Sequence, residues 1–299
     1  MPITPQRVVD LECETGEGPL WHPEDEVVYF TDIPNGRLYS YDPETDSHEL
    51  VYEDDQQPIG GFTIQDDGSL LLFQEYGSVN RLNPSNGHVT TITEQNPDQF
   101  DERFNDVIAD PEGRVFCGVM PDTDRGLPGQ LYRLDHDGSF ELVREACALP
   151  NGMGFTPDLS GMYFTDSGGD DPSSPGYVYR YDYDRTTGEL SDPEVVIDAT
   201  EFDGMPDGLT VDAEGHIWSA FWNGNSIVRF APDGTREESV MFEPKKVSSV
   251  TFAGDSYTDA YVTTACIEGR EVEGEGAGSL FRVDIGVSGR EEFRSSIEV

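Results

Sequence analysis

Lysine is all but missing from this chain. Lys245 and Lys246 are the only two, and with the arginines they make 18 basic residues against 60 acidic ones, a formal charge of −42 over 299 residues. That imbalance excludes a nucleic-acid partner, because a phosphate backbone demands a basic footprint. A disordered acidic tail is excluded too: the carboxylates run along the whole length and are interrupted throughout by apolar, strand-like segments. Evenly spread acidity with lysine nearly eliminated fits adaptation to molar salt, where the screening length shrinks to ~3 Å and self-repulsion fades. Binding of a cationic partner is the competing reading.

Other absences narrow the class further. No stretch approaches the roughly 18 apolar residues that a spanning helix needs, and no basic-apolar N-terminus precedes a small-residue cleavage site. The expectation is therefore a cytoplasmic protein of a high-salt organism, with no membrane partner and no signal peptide. The four cysteines (Cys13, Cys117, Cys147, Cys266) include no CxxC spacing and are expected as buried thiols rather than as a disulfide or metal site. Sustained 3.6-residue periodicity is lacking, which argues against a helical fold. The five histidines (His22, His48, His88, His136, His216) sit in turns or just past strand starts, where solvated roles are expected. None shares a position in the repeat with a serine or cysteine, so triad-type nucleophilic catalysis is unsupported.

What is present is a repeat. A polar or glycine position, a short apolar strand, an Asp/Gly turn, a second apolar strand and an Arg/Leu/Tyr-rich third strand recur six times. The repeats start at Glu17, Gly60, Asn105, Asn151, Asp207 and, more weakly, Ser249, with successive starts 42–56 residues apart. A strand–turn–strand period of about 40–50 residues is the signature of a β-propeller. The predicted architecture is all-β: six blades of four antiparallel strands, forming one domain over residues 1–299. Dipeptides such as Asp67-Gly68, Glu112-Gly113 and Glu214-Gly215 supply the positive φ that tight hairpins use. RVVDLE (7–12) is placed to pair with the last blade and close the ring. The C-terminal GREEFRSSIEV fits an outer strand or a frayed tail. Two Gly/Pro/Asp-rich insertions, 121–129 and 167–176, read as rim loops, the first leaning towards a lid over the axial opening and the second towards a solvated connection.

Residues at one phase of a radial repeat converge on the axis, so Glu17, Asn105, Asn151 and Asp207 are expected to meet there. Each alone could cap a turn or line a watery channel. Together they make an oxygen-only cluster whose carboxylates repel unless a cation sits between them. Oxygen donors of mixed charge suit Ca²⁺, Mg²⁺ or Mn²⁺, with Zn²⁺ or Fe²⁺ possible, and few protein ligands leave positions open for water and substrate. Arg103 is placed to reach a substrate oxygen or to pair with Asp106, and Asp106 itself reads as a turn carboxylate.

These motifs carry a resemblance. GEGPLW at the N-terminus, RFNDVIADPEGRVFCGVM in blade three, LPNGMGFTPD in blade four and PDGLTVDAEGHIWSAFWNG in blade five occur in order along the chain. The sequence resembles the regucalcin (senescence marker protein 30)/gluconolactonase family of six-bladed propellers over essentially its whole length. The resemblance implies that Glu17, Asn151 and Asp207 hold one divalent metal and that Arg103 and Asn105 contact substrate. It also implies that an acidic residue after the blade-three strand grips sugar hydroxyls; Asp122 or Thr123 stands there.

The activity implied is metal-dependent hydrolysis of a sugar aldonolactone, of gluconolactone or pentonolactone type, to the aldonic acid. Asp207 is the candidate general base, and hydroxide formed on the cation is the competing nucleophile. A phosphotriester (organophosphate) hydrolase on the same propeller, or a non-catalytic calcium-binding or effector-sensing module, are the other classes that this chemistry allows. The expected partner is a small sugar lactone, with the protein a monomer or weak homo-oligomer.

Overall fold

A computed structural model describes residues 3–93, 102–168 and 176–298. It consists of six four-stranded antiparallel sheets, each built from strands consecutive in sequence except the last. The first strands of the sheets are Gly16–His22, Gly61–Ile64, Phe104–Ala109, Pro150–Phe155, Met205–Val211 and Val247–Ala253. Each packs against the first strands of the two neighbouring sheets, and the six close into a ring around an axis. The chain is a six-bladed β-propeller, as the repeat predicts. In the sixth blade the outermost strand is Gln6–Val9, paired antiparallel with Leu280–Val283. The expected N-terminal closure is thus present: it covers the edge of Leu280–Val283 and supplies the fourth strand of the last blade.

The core lies between blades. Apolar faces of adjacent sheets interlock in clusters such as Leu71, Phe73, Phe104, Val115 and Tyr132 between blades two and three. Second and third strands carry the apolar runs that made them legible. The outer strands Ser47–Glu53 and Arg236–Met241 do not: most of their residues are exposed, so their sequences lack apolar alternation.

Three readings are corrected or resolved. His22 is buried, not solvated: Asp25 N–H donates to its Nδ1 at 3.1 Å, which leaves Nε2 to donate to Gly68 O at 3.0 Å across the blade-one/blade-two boundary. The C-terminal segment is neither an outer strand nor a frayed tail. It straps across several blades: Gly289 N–H donates to Tyr257 O (2.7 Å), Ser295 N–H to Ile64 O (2.8 Å), Ser296 N–H to Gly113 O (2.8 Å) and Glu298 N–H to His136 O (2.7 Å). The loop 121–129 closes on itself, with Leu127 N–H donating to Asp122 O at 2.9 Å. Of the insertion 167–176, residues 169–175 lie outside the described residues. All four cysteines are free and buried.

Candidate metal centre

The first strands of blades one, three, four and five share one irregularity. Their pairing with the second strand slips between Glu17 and Leu20, Phe104 and Val107, Pro150 and Met153, and Pro206 and Leu209. A bulge lets two residues oppose one and re-aims a side chain; Asn105, Asn151 and Asp207 fall within these slips, and Glu17, paired with Thr31, is the last registered residue before its own. The glycines that follow two of them permit close approach. A Cβ on Gly152 would lie 2.3 Å from Leu209 N, and one on Gly208 would lie 2.2 Å from Ser249 Oγ.

The four residues line a single cavity of about 240 Å³, together with Arg103 and Ser167. Its remaining wall is largely apolar, including Ile33, Met120, Leu149, Met205, Trp222 and Ile267. Asp122 does not line it. That carboxylate accepts Arg125 N–H at 2.8 Å and faces the Arg125 guanidinium at 3.5 Å within its own loop, and only Met120, at the root of the loop, reaches the cavity.

Glu17 and Asp207 are buried carboxyls, 4% and 6% exposed. Burial, then Asp207 and Asp106, push Glu17 well above the usual carboxylate range, while the Gly18 N–H bond and Arg103 pull it down. Burial and Asp106 likewise raise Asp207, against Arg103. Asp106 faces a second, smaller cavity of about 80 Å³ further along the first strands, bounded in part by Glu292 and Phe293 of the C-terminal strap. The region therefore gathers three carboxylates under the influence of one guanidinium. An added cation relieves that excess of negative charge, and the Glu17, Asn151 and Asp207 donors, all oxygen, suit a hard divalent ion.

Arg103 does not pair with Asp106. Its Nη1 donates to Phe104 O (2.8 Å) and Asn105 Oδ1 (2.7 Å). From there a chain of bonds runs on. Asn105 Nδ2 donates to Pro150 O (2.9 Å) and Asn151 Oδ1 (2.5 Å), Asn151 Nδ2 to Ser167 Oγ (2.6 Å), and Ser167 Oγ to Pro206 O (2.5 Å). Sequence reasoning missed Ser167 as a site residue. The signal that would have found it is a comparison of blades: FTDI (30–33) in blade one and FTDS (164–167) in blade four occupy the same phase.

A second group of possible donors, Asp212, Glu214 and His216, has ligand atoms within 4.8 Å of one another. It already surrounds a cation, since Arg229 Nη2 lies 2.7 Å from Asp212 Oδ2 and 2.6 Å from Glu214 Oε2. The Arg229 guanidinium occupies the space between these carboxylates and offsets part of their charge.

The family model for the SMP-30/gluconolactonase/LRE-like region matches residues 15–266. A pentonolactonase of Haloferax volcanii is 44% identical over 99% of this chain and 100% of its own length. The regucalcin of Xenopus laevis is 30% identical over 87% of this chain and 86% of its own. Among solved structures, a calcium-binding regucalcin from Agrobacterium tumefaciens superposes with a TM-score of 0.87 at 23% identity, covering 98% of each chain, a likeness of fold.

Proposed function

This chain belongs to the SMP-30/gluconolactonase/LRE-like family, and on that premise we propose that it hydrolyses a sugar aldonolactone, a pentonolactone foremost, using one divalent metal held by Glu17, Asn151 and Asp207. The observation that carries this reading is the convergence of three oxygen donors with Arg103 and Asn105 on one cavity of about 240 Å³. The Haloferax relative, matched over its full length, directs the choice towards five-carbon lactones.

The cavity suits a small cyclic ester in two respects. Its apolar side, with Trp222 and Ile267, accepts the C–H face of a sugar ring, and its polar side offers Arg103 N–H groups to ring and hydroxyl oxygens and the remaining lone pair of Asn105 Oδ1 to a sugar O–H. A divalent ion bound there supplies Lewis acidity, polarising a carbonyl oxygen and making water a better nucleophile. Arg103, a donor-only group, orients the lactone so that the carbonyl carbon faces the attacking water. Asp207 takes a proton from that water as the new C–O bond forms. The ring C–O bond then breaks, and the proton returns to the ring oxygen, which leaves as the hydroxyl of the aldonic acid. The burial and neighbouring Asp106 that raise Asp207 improve it as a proton acceptor, whereas a cation beside it has the opposite effect.

The test compares pentonolactones, gluconolactone and a phosphotriester, each with metal-loaded and chelator-treated protein. Lactone turnover that disappears on chelation and returns with Ca²⁺, Mn²⁺ or Zn²⁺ is expected. Metal-loaded protein inert towards every lactone overturns the reading, and phosphotriester turnover alone would transfer the site to the other hydrolase class.

A further inference from the structure

We propose that Ser167 is a positioning residue for the metal centre: it fixes which way the Asn151 carboxamide points, so that the carbonyl oxygen rather than the NH₂ group is presented as ligand. The inference rests on the assignment of Asn151 as a ligand. It adds a residue that lies outside the repeat phase from which the ligands come.

An asparagine presents a ligand oxygen in only one orientation of its amide, because rotating it by half a turn replaces an acceptor with two donors. The bond chain through this site removes that freedom at both ends. Arg103 can only donate, so the atom of Asn105 that faces it is the acceptor Oδ1. Asn105 therefore turns Nδ2 towards Asn151, which answers with Oδ1. Asn151 Nδ2 must then face an acceptor, and Ser167 Oγ is there at 2.6 Å. At the far end Pro206 presents a carbonyl, which can only accept, so the Ser167 hydroxyl donates its own proton to it and keeps a lone pair towards Asn151. Every bond runs in one direction. The second lone pair of Asn151 Oδ1 remains for a cation.

The blade-one counterpart supplies the control that the fold itself contains. Glu17 pairs in register just before Asp32, and Asn151 lies just past the Pro150–Asp166 pair. In both blades the aspartate accepts backbone N–H groups from the segment leading into the first strand: Thr15 N for Asp32 (3.1 Å), Ala148 N and Leu149 N for Asp166 (2.9 Å each). The next residue is Ile33 in blade one and Ser167 in blade four, and both line the cavity. Glu17 as a carboxylate has no N–H to satisfy and sits near an isoleucine. Asn151 has two, and a hydroxyl stands where it needs an acceptor.

The experiment is a double-mutant cycle on metal affinity, with Ca²⁺ and Mn²⁺ titrated calorimetrically into chelator-stripped protein and melts recorded on the metal-free forms. Ser167→Ala is expected to weaken metal binding roughly 10- to 100-fold, the range for loss of a group that orients a ligand. In an Asn151→Asp background, where the ligand has no donors to misplace, the same Ser167→Ala change is expected to weaken binding less than about threefold. A general structural role would lower the melting temperature and cost the same in both backgrounds; that outcome, or unchanged affinity in the single variant, overturns the proposal. Wild-type protein that takes up neither ion would instead sink the metal-dependent reading itself.

Discussion

Asp106 follows Asn105 but faces away from the ligand cavity, and burial lifts its pKa to about 6 while Arg103 pulls it down. A carboxyl raised in the folded state is protonated in both states below its ordinary value near 3.8 and then costs nothing. As pH rises the unfolded chain ionises first, so stability falls between about pH 4 and pH 6 and stays lower above. For a shift of about two units the loss is about 3 kcal/mol. Asp106→Asn is therefore expected to raise the melting temperature of metal-free protein at pH 8, with the gain vanishing near pH 4. Melts of both proteins across that range check it; a gap that does not change with pH would refute the assignment. Arg103 shows how the same neighbourhood divides its labour. Its guanidinium is directed to Asn105 and a backbone carbonyl, which leaves Asp106 without that ion pair and Asn105 held in one orientation.

At the level of the strand, the bulges matter more than the strands' propensity. Glu17, Asn105, Asn151 and Asp207 each lie at or within a slip of a first strand against its partner, and in blades four and five a glycine directly after the residue makes room for the neighbouring strand. Gly152 sits against the backbone of the next blade's first strand, with Leu209 N and Asp207 O both too close for a Cβ. Gly152→Ala forces Asn151 and Asp207 apart rather than displacing a flexible side-chain tip. We expect a cost of about 1–3 kcal/mol, as for overpacking of a tight core, which is roughly 2–12 °C of melting temperature, together with weakened metal uptake. Unchanged melting and unchanged metal titration would show that the strands can separate freely there. By contrast, the glycine of the blade-three turn, Gly138, meets nothing within 4 Å and marks a hairpin rather than a close approach.

Charge governs the behaviour of the whole molecule. A formal −42 is distributed over all six blades, and basic residues can be shared among several carboxylates, as Arg229 is among Asp212, Glu214 and Glu237. At low ionic strength the remaining repulsion acts over ~10 Å or more, and in molar salt over ~3 Å. The fold is expected to melt at least roughly 10 °C higher in 3 M than in 0.1 M KCl, several kcal/mol at about 2–4 °C per kcal/mol. A midpoint insensitive to KCl would argue against adaptation to salt. Ring closure depends on Gln6–Val9 and the strap from Gly289 to Glu298, so both ends of the chain hold the same ring. No helix among the described residues is long and apolar enough to cross a membrane.

The sequence by itself determined the number of blades, the second and third strands, the closing strand and the gathering of Glu17, Asn105, Asn151 and Asp207 on one cavity. It could do so because a radial repeat converts phase along the chain into position in space, and phase is countable. Tertiary structure alone decided what phase does not encode. The polar outer strands have no apolar alternation to reveal them, and the burial of His22 and the course of the C-terminal strap depend on which blades become neighbours. Whether Arg103 faces Asp106 or Asn105, and that Ser167 completes the bond chain from Arg103 to the Pro206 carbonyl, follow from donor and acceptor directions fixed only once the ring has closed. The hydrogen bonds of this chain from Asn105 to Pro206 join residues 16 to 46 positions apart, within one blade or between neighbouring blades, and no local pattern specifies which partner each will find.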